Sequence, residues 1–151
     1  MPPLVIIEMS ETIPAPPEAV WRRLVDWERL GEWMREASDF RVTSPHREGV
    51  GVTCEARIRI AGITTTDSVA VRRWEPPAWF VIEHLGWVKG RGTMHCRPTG
   101  GGTYLWWQEA LRPPLGWLGW IGLQAVKPIM GRVFRRDLRL LQELVAAQGA
   151  G

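Results

Sequence analysis

A chain of 151 residues with 45% hydrophobic and 23% charged residues has the size and make-up of one globular domain, which excludes a disordered or collagen-like chain. Its formal net charge of +3, from 19 Lys and Arg against 16 Asp and Glu, is too small to establish an acidic partner by itself. Two cysteines, Cys54 and Cys96, and three histidines, His46, His84 and His95, lack metal-ligand spacing, so neither a metal nor a cofactor is expected and the thiols read as free and buried.

The N-terminus shows no basic region followed by a long apolar run, so the sequence carries no secretory signature and a cytoplasmic location is expected. Residues 4–13 read as a first strand, with Ile7 and Met9 alternating against Glu8 and Ser10. Pro14-Ala15-Pro16-Pro17 stops it and opens a helix in which Val20 and Leu24 stack beside Trp21, ending near Asp26. A second short helix is expected from Trp27 to Arg35, weakened by Gly31, with Leu30, Trp33 and Met34 on its inner side.

The period then changes to two. Phe40 and Val42 lead into a turn at Ser44-Pro45-His46, and Cys54, Ala56, Ile58 and Ile60 alternate with Glu55, Arg57 and Arg59. Ala61-Gly62 ends that strand, and four more strand-like runs follow over 64–74, 79–85, 91–97 and 103–111, separated by Pro- and Gly-rich turns. After Pro113-Pro114 the pattern is helical to about Gln148.

One strand, two short helices, six strands and one long helix specify an α+β domain over residues 1–151, with a curved antiparallel sheet of about seven strands. A single helix packed over such a sheet cannot fill its concave side, so a cavity is expected between them. Ten tryptophans against one tyrosine and three phenylalanines supply large apolar surface either for lining that cavity or for filling the core.

Within the fifth strand, Trp79, Val81 and Glu83 share one face and Phe80, Ile82 and His84 the other, and apolar content does not choose between them. In the last strand Leu105, Trp107 and Glu109 form one face and Tyr104, Trp106 and Gln108 the other. Candidates for acid–base chemistry are Glu109, His84 and His95, against the reading that each faces solvent. In the final helix, Arg132, Arg135, Arg136, Arg139 and Glu143 share one face opposite Met130, Phe134, Leu138, Leu141 and Val145, with Asp137 placed among the outer charges. Those arginines lack interleaved stacking aromatics, so nucleic acid is not an expected partner.

The segment from Leu115 to Leu123 is apolar all round but too short to span a bilayer. Trp117 and Trp120 there suit a lid on the cavity, a homodimer contact or a transient membrane contact, and a kink expected near Pro128 favours the lid.

Ile13, Ala15, Pro16, Val20, Trp21, Leu24, Asp26 and Trp33 resemble the opening of the START-related, pollen-allergen-like (SRPBCC) superfamily, particularly its polyketide cyclase/dehydrase branch. Gly101-Gly102-Thr103 before the last strand, Trp107 within it, and the glycine-punctuated helix from Pro114 to Leu144 extend the resemblance over nearly the whole chain. The resemblance implies a helix-grip fold holding a hydrophobic small molecule such as a lipid, polyketide or aromatic compound. Expected cavity residues are Trp33, Ile58, Trp79, Leu105, Trp107, Met130 and Phe134, with Glu109 as polar anchor. Binding or transport is the leading expectation, a cyclase or dehydratase using a Glu/His pair the second, and a protein-interaction module built on the Trp-rich patch the third.

Overall fold

The computed structural model describes residues 1–149. The strands are β1 (Val5–Ile13), β2 (Ala37–Val42), β3 (Thr53–Ile60), β4 (Ile63–Glu75), β5 (Trp79–His84), β6 (Lys89–Thr99) and β7 (Gly102–Arg112). Helix α1 (Pro17–Leu24) and a 3-10 turn (Trp27–Glu32) join β1 to β2, and helix α2 (Gly116–Gly149) follows β7. The strands form one antiparallel sheet in the order β1-β7-β6-β5-β4-β3-β2. The architecture is the helix-grip arrangement expected.

Each boundary has a local cause. Pro17 sits in the first turn of α1, where its missing N–H costs nothing. The second helix is a 3-10 turn ending at Glu32 rather than an α-helix to Arg35, closed by the Trp33 N–H donating to the Leu30 carbonyl. Ala61 and Gly62 both adopt positive φ, 54° and 79°, between the paired Ile60 and Ile63, as a two-residue hairpin turn matched to strand twist demands. Pro128 does not end α2, which continues on both sides of it.

Alternation decides what each strand buries. Along β7, Thr103, Leu105, Trp107, Glu109 and Leu111 are buried and their neighbours are not. The core below that face joins strand residues to Val20 and Leu24 of α1 and to Phe134, Leu138, Leu141 and Val145 of α2. Trp107 meets Phe134 with centroids 4.8 Å apart and Trp33 edge-on at 6.3 Å. A second aromatic group, Trp21, Trp74, Phe80 and Trp27, has centroids 5.3–6.0 Å apart. Much of the tryptophan surface therefore fills the core.

The join between β7 and the β1–α1 corner is tight. Thr103, wholly buried, donates its hydroxyl to the Ala15 carbonyl at 2.7 Å. Beside it Gly102 has φ of 149°, and a Cβ there would fall on the Ile13 carbonyl oxygen. Gly102→Ala is expected to lower the free energy of unfolding by about 2–4 kcal/mol, read as a shifted denaturant midpoint with unchanged m-value.

Candidate functional site

Between the concave face of the sheet and α2 lies a cavity of about 330 Å³. Its walls are overwhelmingly apolar. From α2 they take Leu123, Val126, Met130 and Phe134, a stripe at helical spacing. Ile58 of β3, Phe80 and Ile82 of β5 and Trp107 of β7 form the sheet side, and Trp33 closes the inner end of the 3-10 turn. The cavity reaches solvent where Ile63 and Trp87, each 62% exposed, border it at the tips of the β3–β4 and β5–β6 hairpins.

A polar chain crosses the sheet within this apolar surface. Glu109 on β7 pairs directly with Gly92 on β6, and Gly92 with Ile82 on β5. With no side chain at 92, the Glu109 carboxylate lies over β6 and accepts from His84 Nε2 at 2.8 Å, although His84 belongs to β5. A Cβ at position 92 would stand 2.7 Å from Glu109 Oε1. The His84 Nδ1 donates to Asp67 Oδ2 on β4, also at 2.8 Å. The indole N–H of Trp107 donates to the other Glu109 oxygen, Oε1, at 2.9 Å. Asp67, His84 and Glu109 all border the cavity.

Electrostatics set the protonation of His84. Burial alone drives the His84 pKa down, but the Glu109 charge, the hydrogen bonds to Asp67 and Glu109 and the Asp67 charge outweigh it, raising the pKa from 6.5 to about 10. His84 is an imidazolium at neutral pH, with both N–H groups already donated to carboxylates. It cannot act as a base in that state, and proton exchange with Glu109 needs no rearrangement.

A second buried polar group borders the same cavity. Glu36, which precedes β2, meets Asp137 of α2, their side chains 6% and 0% exposed. Asp137 Oδ1 accepts from the Arg35 N–H at 3.3 Å and from Arg136 at 3.0 Å. Asp137 Oδ2 and Glu36 Oε1 are both buried, with Arg136 Nη2 3.5 Å from Glu36 Oε1. Burial, reinforced by hydrogen bonding to Asp137 and by its charge, pushes the Glu36 carboxyl from 4.5 to about 9, and burial also raises Asp137. Both carboxyls are therefore pushed toward their protonated forms.

Of the residues singled out in the sequence, Trp33, Ile58, Trp107, Glu109, Met130, Phe134 and His84 border the cavity. Four expectations need correction. Trp79 lies on the opposite face of β5 from Phe80, stacked on His95 at 3.9 Å with the Arg73 guanidinium 4.4 Å from its ring, so neither Trp79 nor His95 reaches the cavity. Leu105 faces inward but is wholly enclosed by core and does not touch the cavity. Asp137 is not among the outer charges, because it follows Phe134 by three positions and turns toward the core. Trp117 and Trp120 pack edge-on at 5.6 Å, and neither borders the cavity; α2 meets it only from Leu123 onward. Leu115, Trp117, Leu118 and Ile121 form an exposed apolar strip.

Sequence reasoning missed Asp67, Gly92, Glu36 and Trp87. Two were signalled: Gly92 is a glycine inside a strand, the mark of a close approach, and Asp67 is an acid between runs of strand formers.

Both buried groups make stability fall as pH rises. His84 binds its proton more tightly folded than unfolded, so its contribution is complete below about pH 6.5 and is lost toward pH 10; the raised Glu36 carboxyl acts in the same direction between about pH 4.5 and 9. Denaturant midpoints measured across that range should decline on the alkaline side. Glu36→Gln should flatten the decline, and carbon or nitrogen NMR shifts of the His84 ring should report imidazolium well above pH 7.

Comparison with known proteins places this geometry in a family. Residues 5–146 match the family described as polyketide cyclase / dehydrase and lipid transport. An uncharacterised protein of Mycobacterium tuberculosis is 29% identical over 143 residues, covering 91% of this chain and 96% of its own. Among solved structures, a protein from Thermus thermophilus superposes with a TM-score of 0.82 at 22% identity, covering 95% of this chain and 99% of that one. The Zhui aromatase/cyclase from a Streptomyces species gives 0.79 at 16%, covering 95% and 94%. A START superfamily protein from Mycobacterium smegmatis gives 0.78 at 15%, covering 95% and 98%. These structures share the fold. No helix among the described residues is long and apolar enough to cross a membrane. From the match across residues 5–146, the chain belongs to the polyketide cyclase / dehydrase and lipid transport family.

Proposed function

We propose that the protein binds a hydrophobic small molecule in the cavity between the sheet and α2. The observation that carries this reading is an apolar volume of about 330 Å³ whose wall is interrupted by a few polar side chains at defined positions, the composition of a small-molecule site. The family supports the class of ligand, and Glu109 supplies a polar anchor fixed by Trp107 and His84. Native mass spectrometry of freshly purified protein should show a bound apolar compound, or uptake of a hydrophobic fluorophore when none is carried. Phe134→Trp, which adds bulk to the wall, should weaken that uptake about tenfold or more while the fold is retained. A protein that takes up neither compound nor fluorophore ends this reading.

A second reading, an enzyme of cyclase or dehydratase type, is favoured by the direct contact between His84 and Glu109 at the cavity wall. The imidazolium would pass its proton along the hydrogen bond to Glu109, which delivers it to the occupant and returns it to His84 once a proton is taken back. Glu109→Gln should then abolish turnover while leaving binding of the apolar body within a few fold, and full turnover in that variant excludes the mechanism.

A further inference from the structure

The charges around the cavity are unbalanced. Its border among the described residues contains Glu36, Glu55, Asp67 and Glu109 and a single cationic side chain, His84, with no Lys or Arg. This is the reverse of the molecule as a whole, which is net positive.

Two of the four acids are answered from outside the cavity. Glu55 pairs with Arg41 at 2.7 Å, and Glu36 shares its site with Asp137 and with Arg136, whose Nη2 is 3.5 Å from Glu36 Oε1. Asp67 and Glu109 have only His84 between them, so two carboxyl groups face a single imidazole at the wall. Uncompensated charge is costly in so apolar a setting. Both His84 N–H groups are occupied by those carboxylates, which leaves no charged donor to receive an anionic ligand.

The remaining wall suits a cation. Aromatic side chains of Trp33, Trp107, Phe80 and Phe134 border the same space, and aromatic faces attract ammonium groups.

We propose that the cavity selects an apolar amine, bound as its ammonium ion against the Asp67 and Glu109 carboxylates, and discriminates against the same apolar body carrying a carboxylate. This rests on the cavity-binding reading above and narrows it to one ligand class. An acyl chain ending in a free acid group is a poor fit; a ring or chain bearing a basic nitrogen is the matching chemistry.

The test uses three probes that share one ring: naphthylmethylamine, naphthylmethanol and naphthoic acid, titrated into the full chain at neutral pH by calorimetry or by displacement of a hydrophobic fluorophore. The amine should bind most tightly, the alcohol next and the acid least, with amine and acid separated by about tenfold or more. Glu109→Gln and Asp67→Asn should each shrink that separation chiefly by weakening the amine, with near-ultraviolet circular dichroism of the tryptophans verifying the fold. If the acid binds as tightly as the amine while the alcohol also binds, the proposed selectivity is wrong and the cavity reading stands. If none of the three binds and no fluorophore is taken up, both fall together. The comparison of probes on the unmodified protein decides the matter even where a variant fails to fold.

Discussion

The register of β7 between β1 and β6 is the constraint on which the site depends. Trp107 pairs with Met9 on one side and Met94 on the other, and Glu109 with Ile7 and Gly92. Side chains alternate with a period of two, so a slip of one residue would replace Leu105, Trp107 and Glu109 on the inner face by Trp106, Gln108 and Ala110. The core contact with Phe134, the indole hydrogen bond and the carboxylate over Gly92 would vanish together. Gly102 and Thr103, locked into the Ile13–Ala15 corner, hold one end of this strand.

From that register follows an electrostatic division of labour. One buried acid pair has His84 between its members and in the other burial raises both carboxyls, so the same problem of carboxyls out of water is met in two ways. The first runs along the sheet from β4 to β7; the second lies where β2 meets α2, and burial there pushes both carboxyls toward their protonated forms.

Element order, strand number and the cavity itself were legible because they follow from period and punctuation. The alternation over residues 54–60, the turns at Ala61-Gly62 and Gly100–Gly102, and the terminal amphipathic helix are local signals. What local signals could not settle was direction. In β5 both faces are apolar enough to be buried, and only the pairing of Trp79 with His95, stacked outside under Arg73, turns Phe80, Ile82 and His84 inward. The contact between His84 on β5 and Glu109 on β7 depends on Gly92 in the strand between them, a relation among three segments that no single window contains. Asp137 escapes sequence reasoning for a related reason: by charge it belongs with Arg135 and Arg136, but by angle it belongs with Phe134 and Leu138.

The pairing of β1 with β7 has a temporal meaning as well. Val5 finds its partner only in Leu111, and Ile13 only in Thr103, so the first of the strands to be synthesised waits for the last. Until then one edge of the growing sheet lacks its neighbour, and the closing event must bring together segments separated by most of the chain. Such non-local closure slows folding relative to domains of similar size built from neighbouring contacts. The cavity can therefore come into being only after synthesis has passed Arg112, and a nascent chain halted before that point has no enclosed space to offer a ligand.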